Sequence, residues 1–153
     1  MPATFAATFA VLYAAHMVGD HWIQTHPQSQ AKGGAGWRAR LADLRHVASL
    51  TLTKVVLLLL AWAVVDLRVT VWIVPALLID AASHYWADRR STLLWLAGAM
   101  DRLYPGFGKV QFATLGTPRP GRDDNPSIGT GLYSLDQSWH VLWLFVAALI
   151  AAR

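Results

Sequence analysis

Long apolar runs separated by polar segments divide the sequence. Four runs, residues 3–23, 46–65, 69–87 and 132–152, are each about 20 residues long, the length of helix that crosses roughly 30 Å of hydrocarbon. A helix also satisfies its own backbone hydrogen bonds inside lipid. The pattern therefore predicts an all-α fold, a polytopic four-helix membrane bundle that forms a single transmembrane domain over residues 1–153.

The segments between the runs differ in length. Asp66–Arg68 predicts a tight hairpin between the second and third spans, and residues 24–45 form a polar loop. The third connection, residues 88–131, contains a predicted short interfacial helix over Ser91–Leu103, with Ser91 as its N-cap. One face of this helix would be apolar and suited to the membrane surface. That face carries Leu93, Leu96, Ala97, Met100 and Leu103.

Composition and charge support a membrane protein and predict its orientation. Only 14% of residues are charged and 55% are hydrophobic, whereas soluble domains carry about 25% charge. About ten Lys and Arg lie in the two long loops, against Arg68 and Arg153 on the other side. This bias predicts cytoplasmic long loops and both termini outside. Cysteine is absent, which excludes disulfides and thiolate ligands. No basic helix is present, so we expect no nucleic-acid partner.

Ionisable residues occur near one end of every predicted span. At 1.5 Å per residue they fall within about 12 Å of the cytoplasmic interface. Three pairs are spaced i,i+4, which places both members on one helix face. These pairs are His16 and Asp20, Asp80 and His84, and Asp136 and His140, and His46 opens the second span. Charged groups in spans are costly and usually functional.

Imidazole and carboxylate groups together suit a divalent metal, with zinc first and manganese or iron as alternatives. The predicted metal ligands are His16, Asp20, His46, Asp80, His84, Asp136 and His140. Seven candidates exceed the three or four protein ligands of one catalytic zinc. Either two metals bind or some residues support the ligands. A metal-free polar network and a proton or ion pathway remain alternatives.

A metal centre near the interface suggests metal-assisted hydrolysis, in which the ion activates water. Asp20, Asp80 and Asp136 are the predicted catalytic carboxylates, as ligands or base. The predicted substrate contacts are Lys54, Arg119, Arg122, Gln24 and Gln137. Lys54 has two other roles open to it, neutralising an Asp or reaching toward the interface. The loop with Arg119 and Arg122 is either a lid or a plain connector.

Membrane lipid and a lipid-linked or anionic small molecule are the expected partners, because the loops are basic. A bundle of four spans is small, which leaves a homodimer open. The competing class is a non-enzymatic membrane protein, either a transporter or a partner-binding scaffold, with a structural His/Asp network. In a transporter, polar residues would continue toward the outer face, but Val55 to Val65 is apolar.

The motifs Ala15-His-Met-Val-Gly-Asp-His-Trp-Ile-Gln-Thr25 and Asp136-Gln-Ser-Trp-His140 resemble an uncharacterised bacterial and phage family of small integral-membrane domains. Members carry A-H-x-x-G-D-x-x-x-Q-T early and D-Q-x-x-H late. The scattered His and Asp are also similar, more weakly, to those of membrane-bound metal-dependent hydrolases. The resemblance implies a multi-pass protein of the bacterial inner (plasma) membrane with a site at these residues.

Overall fold

The computed structural model describes residues 2–117 and 130–153, and these form seven α-helices and one π-helical turn. The elements are α1 (Pro2–Val18), the π-helical turn (Gly19–Ile23), α2 (His26–Ala31), α3 (Trp37–Val65), α4 (Ile73–Asp88), α5 (Ser91–Leu103), α6 (Lys109–Ala113) and α7 (Gly131–Ala151). The predicted all-α class is confirmed for the part of the chain that is described.

Three helical segments are long and apolar enough to cross a membrane, judged by length and composition. They are Pro2–Ile23, Trp37–Val65 and Gly131–Ala151, and they correspond to the first, second and fourth predicted spans. Helices of this kind mark the chain as a membrane protein.

The third predicted span is shorter than expected. Helix α4 has 16 residues, about 24 Å of helix, and it begins at Ile73 rather than at residue 69. Pro75 explains the later start, because proline is tolerated in the first turn of a helix and disrupts its interior. Residues 67–70 before the helix are not helical, so the connection after α3 is longer than the predicted hairpin.

Helix α3 begins at Trp37, well before the predicted residue 46. The segment ahead of residue 46 is rich in Ala, Leu and Arg, which favour helix, and Gly36 precedes it with a φ of 86°. The apolar run therefore marked only part of the helix. Residues 24–45, predicted as a loop, contain α2 and the first turns of α3.

Helix α5 covers the predicted range, but its cap differs from the prediction. The N-cap is Arg90, with a φ of 56° and no side-chain capping bond. Ser91 is the first helical residue, so its prediction as N-cap is wrong. Leu93 and Ala97 are buried, whereas Leu103 is 74% exposed. The apolar face of α5 is therefore partly covered by the rest of the protein.

An apolar core lies between the helices at the end of the molecule away from the ionisable residues. Helix α4 packs against α7, and α1 packs against α3 and α7. Ala76, Ala147, Ala148 and Ala151 are fully buried in this core, and such small residues let helices approach closely, as in membrane bundles. This packing fixes the four longest helices side by side.

Candidate metal centre

A π-helical turn at the end of α1 places the first acidic residue of the site. Such turns are rare and frequent at functional sites. Asp20 lies in this turn, and Gly19 beside it packs tightly on α3. A Cβ at Gly19 would lie 2.2 Å from Leu50 Cδ1. This contact brings the end of α1 onto α3 one turn from His46.

Five ionisable side chains meet where α1, α3, α4 and α7 converge, and we call them the His/Asp cluster. Its members are Asp20, His46, His84, Asp88 and His140. They form two overlapping groups of three, Asp20–His46–His84 and His84–Asp88–His140, each with donor atoms within 4.8 Å of one another. The three imidazoles and Asp88 are buried, and the side chain of Asp20 is 8% exposed.

The distances from His46 and His84 to each other and to two carboxylates are close to those between ligands of one metal ion, while His140 Nε2 lies farther out, 4.0 Å from Asp88 Oδ1. His46 Nε2 lies 2.8 Å from Asp20 Oδ1 and 3.6 Å from Asp88 Oδ2. His84 Nε2 lies 3.6 Å from Asp20 Oδ1, 3.3 Å from Asp88 Oδ2 and 3.1 Å from His46 Nε2. Ligands bound tetrahedrally to zinc at about 2.0–2.1 Å stand about 3.3 Å apart. The observed distances straddle this value.

Hydrogen bonds among the described residues cannot satisfy this cluster. A neutral imidazole offers one N–H, yet His46 Nε2 faces Asp20 Oδ1, Asp88 Oδ2 and His84 Nε2. Asp20 Oδ1 and Asp88 Oδ2 are buried and accept no hydrogen bond from the described residues. Buried polar atoms of this kind are costly unless paired. The cluster therefore has more acceptors than donors, which a bound cation would balance.

Two predicted ligands lie beside the cluster. His16 Nε2 is 3.8 Å from Asp20 Oδ2, and neither ring nitrogen of His16 has a hydrogen-bond partner among the described residues. Asp136 Oδ1 is 3.3 Å from His140 Nε2, and the Asp136 side chain is 20% exposed. The His140 ring stacks on that of His84, with centroids 3.9 Å apart. Both residues can therefore join or support the ligand set.

Asp80, predicted as a ligand, lies outside the cluster. Its carboxylate forms a salt bridge with Lys54 Nζ, and both side chains are buried. Lys54 thus neutralises an Asp, one of the three roles that the sequence left open for it. Asp88, one helical turn beyond His84 on the other side, contributes the carboxylate from α4 instead.

Sequence reasoning missed a group of residues that hold Asp88. Lys32 Nζ lies 2.8 Å from Asp88 Oδ1, whereas His46 and His84 face the other oxygen of this carboxylate, Oδ2. Arg89 donates to the backbone oxygens of Lys32, at 2.6 Å, and Gly34. Asp43 is buried close to this group, 3.9 Å from Arg89 Nη1. In the sequence, only the position of Asp43, three residues before His46 and on the same helix face, could have pointed to this group.

A polar cavity of about 380 Å³ opens beside the cluster. The carboxylates of Asp20, Asp88 and Asp136 line it, together with Lys32 and Arg90. Gln24 and Gln137, predicted as substrate contacts, also line this cavity. The predicted contacts Arg119 and Arg122 lie outside the described residues. The cavity gives small molecules a route to the acidic edge of the cluster.

A hydrogen bond between His21 and Tyr133 links two of the elements that line the cavity. His21 Nε2 lies 3.2 Å from the Tyr133 hydroxyl, linking the π-helical turn to α7. Both residues line the cavity. The arrangement as a whole offers buried imidazole and carboxylate ligands beside a cavity whose lining includes two cationic side chains, Lys32 and Arg90.

Neither protein-family models, curated proteins nor solved structures gave a match to this chain. The resemblance to the integral-membrane family therefore stays a prediction.

Proposed function

We propose that the chain is a membrane protein whose His/Asp cluster binds a divalent metal ion, with zinc first and manganese or iron as alternatives. The observation that carries this proposal is the convergence of two imidazole nitrogens and two carboxylate oxygens. Each nitrogen lies 2.8–3.6 Å from both oxygens, and the two nitrogens lie 3.1 Å apart. Nitrogen and oxygen donors of this type suit these ions.

The proposal includes a four-helix bundle in the bacterial inner membrane, with α4 as the short fourth crossing. Large apolar side chains on the outer surfaces of the helices support it, among them Leu59 and Leu60 on α3, Leu78 on α4 and Leu149 on α7. Ionisable residues are turned inward instead, and this arrangement is the one that lipid favours. The long loops face the cytoplasm in this proposal.

The chemistry that we propose is hydrolysis. A bound divalent ion supplies an activated water and polarises a carbonyl or phosphoryl oxygen. Asp136 lines the cavity and is partly exposed, so it is placed to take the proton from the water. The water oxygen bonds to the phosphorus or acyl carbon, the bond to the leaving oxygen breaks, and that oxygen takes up the proton.

An anionic substrate is favoured by two cationic side chains on the cavity wall. Lys32 and Arg90 both line it. Lys32 forms a salt bridge with Asp88, whereas the Arg90 guanidinium makes one hydrogen bond among the described residues, to the backbone oxygen of Ser29 at 3.3 Å. Arg90 is therefore the stronger candidate to meet an anionic group, for which guanidinium is well suited.

The test is metal content. Purified protein dialysed against zinc should retain one or two ions per chain, measured by elemental analysis. His84→Ala should reduce the affinity by at least tenfold, because His84 belongs to both ligand groups. His26→Ala is the matched control, since His26 is exposed on α2, and it should bind zinc as the original chain does. A folded wild-type protein without affinity for Zn²⁺, Mn²⁺ or Fe²⁺ contradicts the proposal.

A second candidate is a non-enzymatic membrane protein whose cluster is structural. The contact of 3.1 Å between His46 Nε2 and His84 Nε2 favours it, because this is a hydrogen-bond length. On this alternative the folded protein binds no ion, and His84→Ala lowers its thermal midpoint without changing metal content.

A further inference from the structure

A second cavity, an apolar groove of about 310 Å³, lies next to the polar cavity. Its walls are formed by α5 and α7, through residues such as Leu93, Ala97, Met100, Leu135, Trp139 and Leu142. Leu93 lines both cavities and is 4% exposed. The two spaces therefore share a wall, one polar and charged, the other apolar.

Helix α7 contributes residues to both cavities. Asp136 and Gln137 line the polar cavity, whereas Leu135 and Ser138 line the groove. Further along the helix Trp139 continues the groove, and its indole N–H donates to Ser83 O at 3.3 Å. This bond holds the ring against α4. A molecule that reached Asp136 would have the groove directly beside it.

The two cavities differ in charge as well as in polarity. Lys32, Arg90 and three carboxylates line the first, and among the described residues Lys109 is the one charged residue that lines the second. This contrast fits an amphiphile with an anionic head and an apolar tail, because hydrocarbon gains free energy only where water is excluded.

We infer that the substrate is an amphiphilic phosphate ester, with its head group in the polar cavity and a hydrocarbon chain in the groove between α5 and α7. This inference rests on the proposed function for the role of the head group. The metal centre alone does not select for a hydrocarbon chain, whereas the groove would select a substrate that carries one.

Chain length provides the test. Full-length protein in lipid nanodiscs is loaded with zinc, and its affinity is measured for inorganic phosphate, butyl phosphate and octyl phosphate. Each methylene buried from water is worth about fourfold in affinity, so octyl phosphate should bind on the order of 200-fold more tightly than butyl phosphate.

Two matched variants on α7 distinguish the groove from general partitioning into lipid. Ser138→Phe places a ring in the groove, because Ser138 is exposed and lines it. It should abolish most of the gain from the longer chain and leave inorganic phosphate unaffected. Ser134→Phe makes the same change at an exposed position one turn earlier that lines neither cavity, and it should keep the full gain.

Several outcomes overturn the inference. The first is that octyl phosphate still binds more tightly than butyl phosphate in Ser138→Phe. The second is that Ser134→Phe removes this difference as fully as Ser138→Phe does. The third is that the unmutated protein shows no difference between the two ligands. The same series without metal separates this result from the metal proposal. If zinc does not bind but the gain persists and depends on Ser138, the groove stands and the metal centre fails. If zinc binds but the longer chain gives no gain in affinity, the metal centre stands and the groove fails.

A measurement that does not depend on the folding of Ser138→Phe uses Trp139. Bound 4-bromobutyl phosphate should quench tryptophan fluorescence, because its short chain would leave the bromine beside this indole in the groove. Trp139→Phe should remove that part of the quenching. Equal quenching in both proteins places the chain elsewhere and overturns the inference.

Discussion

At the residue scale, the partner of each carboxylate decides its role. Asp80 and Asp88 are each one turn from His84 on α4, and the spacing alone gives them equal standing as ligands. Lys54 pairs with Asp80, while Asp88 Oδ2 turns toward His46 and His84. Burying the Lys54 ammonium is costly unless it is paired, and Asp80 provides that pairing.

Removing the charge of Asp80 should destabilise the protein without removing the metal. We expect Asp80→Asn to lower the free energy of unfolding by about 3–5 kcal/mol, because Lys54 would be left buried and unpaired. Lys54→Met combined with Asp80→Leu should recover most of this loss. The measurement is denaturant unfolding in detergent, with zinc content recorded in parallel.

The exposed pair of Asp66 and Arg68 provides the control. Its atoms are 2.7 Å apart, but both side chains are more than 70% exposed. Asp66→Asn should change stability by less than about 1 kcal/mol, since exposed pairs contribute little. Equal effects at Asp66 and Asp80, or loss of zinc in Asp80→Asn, would show that Asp80 does not act as proposed.

At the element scale, the contact between α6 and α7 positions the start of the helix that carries Asp136 and His140. Gly131 N donates to Leu115 O at 2.9 Å, and Thr130 Oγ1 caps α7 by accepting from Tyr133 N. A Cβ at Gly131 would lie 1.8 Å from Phe112 O. Backbone packing of this kind permits glycine alone.

We therefore expect Gly131→Ala to lower the free energy of unfolding by about 1–3 kcal/mol through overpacking. Gly98→Ala on α5 is the matched control, because its Cβ would meet nothing closer than 3.6 Å. This control should be stabilised by up to about 1 kcal/mol, since alanine favours helix over glycine. Thermal unfolding of the two variants tests this prediction. If Gly131→Ala unfolds at the same temperature as the original protein, the tight packing at Gly131 is contradicted.

A carboxylate on α5 accepts hydrogen bonds from the first turn of α6. Asp101 accepts hydrogen bonds from Lys109 N at 2.7 Å and Val110 N at 2.9 Å. These two donors lower the pKa of Asp101 below its ordinary value of 3.8, because they stabilise the charged carboxylate.

The lowered pKa sets the pH range in which this cap acts. The hydrogen bonds of the Asp101 carboxylate contribute fully to stability at pH values above its ordinary pKa of 3.8. This contribution is lost as the pH falls through the lower pKa that Asp101 has in the folded protein. Hydrogen exchange at residues 109 and 110 should therefore accelerate in acid beyond the intrinsic rate. In Asp101→Asn this additional acceleration should be absent, and its persistence in the variant would assign it to another group.

At the scale of the whole molecule, the distribution of basic residues predicts one orientation. Residues around α2 and the start of α3 carry Lys32, Arg38, Arg40 and Arg45, whereas the connection after α3 carries Arg68. The chain has no cysteine, so single introduced thiols can be labelled without background.

We expect Arg68→Cys to react with a membrane-impermeant maleimide in spheroplasts, and Gln30→Cys to react only after the membrane is opened. Both positions are exposed, and the positive-inside bias places them on opposite sides. The reverse labelling pattern would show that the protein has the opposite orientation. Labelling of both cysteines in intact spheroplasts would show that no bilayer separates the two positions.

Much of the element pattern was accessible from the sequence, because apolar runs and helix period are local properties. Three of the predicted spans correspond to helices long and apolar enough to cross a membrane, and Ser91–Leu103 is the helix α5. The starts of α3 and α4 were wrong, since hydropathy does not mark where a helix begins. Helix formers before residue 46 and Pro75 decided those two ends.

The sequence by itself determined that the chain is helical and apolar, and that imidazole and carboxylate groups recur one turn apart on separate helices, because these are properties of spacing and composition. Only the tertiary structure decided which of them meet. The rotation and depth of each helix bring Asp88 to His46 and His84, pair Asp80 with Lys54, and place Lys32 on Asp88. Those placements depend on packing between distant segments, which no local pattern records.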